Sequence, residues 1–119
     1  MGNLFNGKTD FNGEIGGWDT SKVTNMYGTF ASATAFNSQL TWDTSKVTSM
    51  HAAFWHTFDF DQAVHGWDVT SVTDFALMFD STAMINDDCK RQLTYASFSQ
   101  QSAAFDLAYP SWSSAVCPS

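Results

Sequence analysis

Apolar positions recur along this chain with a long period. Trp18-Asp19-Thr20-Ser21-Lys22-Val23-Thr24-Asn25-Met26 returns as Trp42-Asp43-Thr44-Ser45-Lys46-Val47-Thr48-Ser49-Met50, and more loosely as Trp67-Asp68-Val69-Thr70-Ser71-Val72-Thr73-Asp74-Phe75. The tryptophans lie 24 and then 25 residues apart. Between them run further columns: Phe11, Phe36, Phe60 and Ile85; Ile15, Leu40 and Val64; Val23, Val47 and Val72. A polar column, Asn12, Asn37, Asp61 and Asn86, sits directly behind the first of these and suits turn residues that bond backbone groups. Self-similarity at such a period predicts stacked units, each covering its neighbour's apolar face.

Within a unit, Met26 and Phe30, Met50 and Phe54, and Phe75 and Phe79 are four residues apart and would share one face of a helix. Thr24, Asn25, Ser49 and Asp74 precede them as N-cap types. Short helices are therefore predicted over 25–33, 49–57 and 74–82. The valines flanked by threonine have β character and predict a short strand or extended segment. The expected fold class is α/β, a short solenoid of about 3.5 coils with the three tryptophans in a column.

Beyond Asp88 the period fails, and Gln92-Leu93 stand where a fourth Trp-Asp is due. Asp87 to Phe98 reads as a helix with early Asp and later Lys-Arg, Ser99 to Ala108 as a second helical piece, and Pro110 as the start of an irregular tail. One structural domain is expected, with a repeat solenoid over 1–88 and a helical C-terminal cap and tail over 89–119 that closes the last exposed face. Both cysteines, Cys89 and Cys117, fall in this cap. Paired, they form a clasp on a tail that has little packing of its own and place the protein in an oxidising compartment. Unpaired, they are two buried thiols.

Composition sharpens this picture. Eleven Phe, five Trp and three Tyr in 119 residues make the core aromatic, and 44% apolar with 14% charged residues is globular. A net charge of -7 disfavours nucleic-acid backbones and anionic membrane surfaces. No apolar run approaches the roughly 20 residues of a membrane span, and no basic-then-apolar signal sequence opens the chain. Met1 itself aligns with Met26, Met50 and Phe75. It reads either as an initiator in register or as the start of a piece cut from a longer precursor.

The pattern W-D-T-S-x-V-T-x-M-x-x-x-F, with F-N some six residues on, resembles the BspA-like leucine-rich-repeat surface proteins over residues 1 to about 88. Repeats of this length occur in bacterial surface proteins, mycoplasma lipoproteins and microbial eukaryotes. The resemblance implies a leucine-rich-repeat-like solenoid used for binding or adhesion, with no catalytic residues. The third copy departs from the pattern at Val69 and Ser71.

Function is then expected to be non-catalytic: a protein-binding or adhesion module, exported, at the cell surface or in an organelle lumen. The alternative is a small accessory subunit of a larger complex, membrane-associated ones included. Partners are other proteins, and no cofactor is expected. The candidate partner surface comprises the positions that vary between copies, Lys22, Lys46, Ser71, Tyr27 and His51, together with Trp112 in the tail. For Trp112 and Tyr109, packing on the cap is the favoured reading over an anchor for a partner. Other chemistry is weaker. His51, His56 and His65 with Asp59 and Asp61 match no standard zinc spacing. Asp19, Asp43 and Asp68 suit turn capping better than Ca²⁺, and Thr24, Thr48 and Thr73 make too small an array for an ice-binding face.

Overall fold

The computed structural model describes residues 1–117. Four copies of the repeat begin at Met1, Met26, Met50 and Phe75, and each lies against the next through its backbone. Amides of the second copy donate to Ser49, just before the third copy, and to carbonyls within it: Met26 to Ser49, Gly28 to His51, Phe30 to Ala53 and Ser32 to Trp55, at 2.7–2.9 Å. Met50, Ala52, Phe54 and His56 donate in the same way to Asp74, Ala76, Met78 and Asp80. The first copy does so from Asn3, Phe5 and Gly7.

The amides in between stay at home. Thr29 bonds Met26, Ala31 bonds Gly28 and Ala33 bonds Phe30, each three residues back. These segments are consecutive tight turns, and the helices expected over 25–33, 49–57 and 74–82 do not form. The third residue of alternate turns has positive φ: Asn3 and Gly7, Gly28 and Ser32, Ala52 and His56, Leu77 and Ser81. That sign at the third position is what a type II turn demands, and an α-helix cannot contain it. The buried residues include Met26, Thr29, Phe30 and Ala33, the spacing an amphipathic helix would show, with Gly28 and Ala31 buried between them. The hydrophobic pattern is real; the backbone beneath it is different.

On the valine side the copies meet more sparingly. Thr48 donates its amide to Thr24 and Thr73 to Thr48, and single parallel bridges join Asn25, Ser49 and Asp74. Among the described residues no β-strand forms, so the α/β expectation is corrected: the repeats are turn and irregular backbone, and helix is confined to the C-terminal region.

The core is a pair of phenylalanine columns. Phe5, Phe30, Phe54 and Phe79 follow one another with ring centres 5.3–5.9 Å apart, and Phe11, Phe36 and Phe60 form a second column. Within each copy the two rings stack at 4.1–4.2 Å. Met84, fully buried, continues the second column, whereas Ile85 is 39% exposed. The expected register there is thus one residue off. Trp42 and Trp67 pack against Phe30 and Phe54 of their own copies and donate their indole N–H to Ile15 and Leu40 of the copy before. The chain is compact, with a radius of gyration of 13.1 Å.

Past a short 3-10 turn at Ala83–Asn86, helix α1 (Asp88–Gln101) and helix α2 (Ala103–Ala108) pack across the last copy, followed by a 3-10 turn at Pro110–Ser114 where an irregular tail was expected. Asp87 caps α1 by accepting the Lys90 amide. The cap supplies what a further copy would have supplied. Phe5, Phe30 and Phe54 give their amides to the next copy, but the Phe79 amide goes to the Tyr109 hydroxyl at 2.7 Å. That hydroxyl donates onward to Asp80, and burial first, then the Asp80 bond, push the phenol upward. Trp112 lies over Phe79 as the next ring of the column. Gln101 accepts the Val69 amide and donates to the Trp67 carbonyl, and Ser102 donates to Val72. Cys89 and Cys117 form a disulfide, which ties the end of the chain to the start of α1.

Candidate interaction surface

The residues that vary between copies come to the surface for a local reason. Asn25, Ser49 and Asp74 each accept, through the side chain, the amide two residues on. This turns the backbone so that Met26, Met50 and Phe75 point inward while Tyr27, His51 and Ala76 point out. The Tyr27 and His51 rings stack at 5.1 Å with planes 7° apart. His51 Nδ1 then lies 3.2 Å from both carboxylate oxygens of Asp74. A tyrosine of the second copy is joined here to an imidazole and a carboxylate of the third on one accessible strip.

Lys22, Lys46 and Ser71 are exposed at the equivalent place of each copy, three residues past Asp19, Asp43 and Asp68. Each of these carboxylates accepts the backbone amide and the hydroxyl of the residue two further on: Ser21, Ser45 and Thr70. The hydroxyl bond, and then the amide bond, hold all three below the ordinary carboxylate value. They are turn caps, as their spacing suggested, with their accepting capacity directed locally.

Trp112 has no place on this surface. It is 4% exposed, packed on Phe79, Phe105 and Tyr109, so of its two readings cap packing is the one the structure takes. The three histidines are dispersed: His51 is on the strip, His56 stacks on Trp55 at 3.7 Å, and the His65 carbonyl accepts from Ser97. Among the described residues no three His, Cys, Asp or Glu side chains converge as a metal site. The Thr48 and Thr73 hydroxyls turn toward the carbonyls of Thr24 and Thr48 rather than outward. A polar groove of about 600 Å³ runs past Glu14, Gly16, Gly17, Ser38, Gln39 and Thr41. Glu14 is the one ionisable side chain lining it, with no nucleophile and base set against each other.

Sequence reasoning placed Tyr109 against the cap but missed the role of its hydroxyl, which completes the backbone of a residue 30 positions away. No local motif announces such a bond. It also missed the left-handed positions, although Gly7, Gly28 and Asn3 carried that signal in the first two copies. No helix is long and apolar enough to cross a membrane, and the disulfide points to an oxidising, extracytoplasmic setting. In comparison with known proteins, the model of one family, described as "Mycoplasma protein of unknown function, DUF285", matches residues 1–111. No curated protein and no solved structure matches the chain.

Proposed function

Since the chain belongs to the DUF285 family of Mycoplasma proteins of unknown function, we propose that it is a non-catalytic protein-binding or adhesion module outside the reducing cytosol. In this reading its backbone is a short leucine-rich-repeat-like solenoid of the BspA-like kind, and the bound protein rests on the exposed positions Lys22, Lys46 and Ser71 together with the strip that holds Tyr27 and His51.

One observation carries the proposal. The positions that stay constant from copy to copy are engaged in the fold itself: Phe in the ring columns, Asp in the turn caps, Trp in bonds to the preceding copy. Among the positions that change, Lys22, Lys46, Ser71, Tyr27 and Ala76 face solvent and His51 is half-buried beside Tyr27, where change alters what is presented; others, such as Thr29, Ala53 and Met78, change inside the core. A stacked aromatic pair beside a carboxylate offers a partner a rigid apolar contact with a polar rim, the composition that interface centres favour.

The test is capture of the binding partner from source material on immobilised protein, repeated with Tyr27→Ala and with Lys22→Glu/Lys46→Glu. Loss of the captured protein with folding intact supports the reading. A partner retained by both variants excludes this strip. The second reading, a permanent subunit of a larger assembly, draws on Leu107, which stands 83% exposed at the end of α2 beside the groove of Phe75, Ala104 and Ala108. Size-exclusion of the native material separates the two: a free monomer fits the module, co-migration with a large complex the subunit.

A further inference from the structure

The ring column of the strip stops at His51. Tyr27 and His51 are the second residues of their copies, and in the fourth copy Ala76 stands at that place. Tyr27 lies flat on one face of the imidazole, with ring centres 5.1 Å apart. No ring lies on the other face among the described residues. The place where the fourth copy would add the next ring is open.

The walls of that place come from two elements. Ala104, Leu107 and Ala108 of α2 form, with Asp74, Phe75 and Ala76, a groove of about 230 Å³. Leu107 is 83% exposed on its wall. Asp74 is the one charged side chain lining the groove. Both its oxygens lie 3.2 Å from His51 Nδ1, one of them accepts the Ala76 amide, and 47% of the side chain is exposed. Among the described residues no lysine or arginine pairs with it. Lys90 is engaged with Asp61 and Asp87, and Arg91 with Asp88.

An occupant of this groove needs a flat group for the open imidazole face, positive charge for Asp74, and apolar length for Leu107 and the two alanines. A lysine ammonium cannot lie flat on a ring. A tyrosine or phenylalanine can, but leaves the carboxylate unmatched. Arginine meets all three needs. Its planar guanidinium stacks on rings and pairs with a carboxylate through two N–H groups, and its methylene stem covers apolar surface.

We infer that the protein bound on the strip delivers an arginine side chain into this groove. The guanidinium lies on His51 as the next plane of the column and pairs with Asp74, and the stem runs along Leu107. A net charge of -7 favours a partner surface of opposite sign. The inference rests on the strip reading above and names the chemistry that the partner brings to it.

The test titrates the intact ¹⁵N-labelled protein with blocked tripeptides that carry arginine, lysine, citrulline or tyrosine between two alanines. Citrulline keeps the plane without the charge, and lysine the charge without the plane. The arginine peptide is expected to bind at roughly millimolar concentration, with shifts centred on His51, Ala76 and Leu107, and the other three about tenfold more weakly. Two variants are built to keep the fold. Asn25 caps its turn as Asp74 does, so Asp74→Asn removes the charge alone and should weaken the arginine peptide about tenfold. Tyr27 shows that the turn can carry a ring at this place, so Ala76→Tyr should fill the column and abolish the shifts. No response at roughly ten millimolar arginine peptide, shifts centred elsewhere, equal binding of the lysine peptide, or arginine binding that survives both variants would each overturn the inference. Equal binding of the tyrosine peptide would overturn it too, and would assign the groove to an aromatic side chain. In the capture experiment, a partner released by Tyr27→Ala but retained by both Asp74→Asn and Ala76→Tyr would end this inference and leave the strip reading standing. A partner retained by Tyr27→Ala and by Lys22→Glu/Lys46→Glu would end both.

Discussion

Leu77 occupies a position that its side chain makes costly. Its φ is +61°, where a Cβ strains against its own backbone, and it is 44% exposed, so little packing is lost by trimming it. Leu77→Gly should therefore raise stability by about 1 kcal/mol, read as a higher urea midpoint. Gly28 is the reverse case: φ is +59°, and an added Cβ would meet the Asn3 side chain at 2.3 Å. Gly28→Ala should lower the midpoint, by about 1 kcal/mol or more. The caps Asp19, Asp43 and Asp68 make a third prediction at this scale. Their folded values lie below the ordinary 3.8, so the folded state binds fewer protons than the unfolded one just below that value. Their contribution is fully present above 3.8 and is lost as pH falls through the folded values. Urea midpoints along an acid series should fall in that window, and fall less in Asp43→Asn.

At the scale of elements, the cap depends on few groups. Tyr109→Phe removes a hydroxyl that both accepts the Phe79 amide and donates to Asp80 in a buried place. The orphaned amide should cost about 1–3 kcal/mol, with faster hydrogen exchange in the last copy than in the first. The clasp is a separate matter. Reducing Cys89–Cys117 should release the end of the chain while the repeats stay folded, and intact-mass measurement after alkylation should show no free thiol before reduction and two after. Two alkylated thiols in the native protein would refute the clasp.

Elements are also where the sequence is hardest to read. Helix α1 announces itself through Asp87, Lys90 and Arg91, since caps and charges are local. The turns after Met26 do not, because Met26, Thr29, Phe30 and Ala33 face inward at a spacing shared with a helix. Gly28 betrays the left-handed turn, but Ala52 and Leu77 stand at its equivalents and hide it. Ile85 was the natural aliphatic match to Phe60, yet Met84 is the one buried, a shift set by the chain turning toward α1.

For the whole molecule, the phenylalanine column makes stability collective. Phe54 is fully buried and touches the rings of Phe30, Phe60, Phe79 and Trp67. Phe54→Ala should cost about 3–5 kcal/mol, a large share of what holds a domain of this size together. A single loss of near-UV and far-UV dichroism on heating would show the copies melting as one body. At this level the period made the stacked phenylalanines legible. The strip of Tyr27, His51 and Asp74 was legible only in part, since His51 stood out as variable but its stacking on Tyr27 required the copies to be set in register.

The alternation of amides gives the segments after each Met or Phe start something like a reading frame. Even-numbered amides from Met26 to Ser32 reach across, and odd-numbered ones close turns. Removing one residue there hands every following amide its neighbour's task and moves each left-handed site onto the wrong residue. The linker before each tryptophan is exempt. Ile15 and Trp18 enclose two glycines, Leu40 and Trp42 a single threonine, Val64 and Trp67 again two residues, and both indole bonds, to Ile15 and to Leu40, survive the difference. Length can drift in that one place without changing phase. Deleting Gly66 should leave a folded protein with nearly the parent's melting temperature, and deleting Ala53, a smaller change in mass than many point mutations, should unfold it.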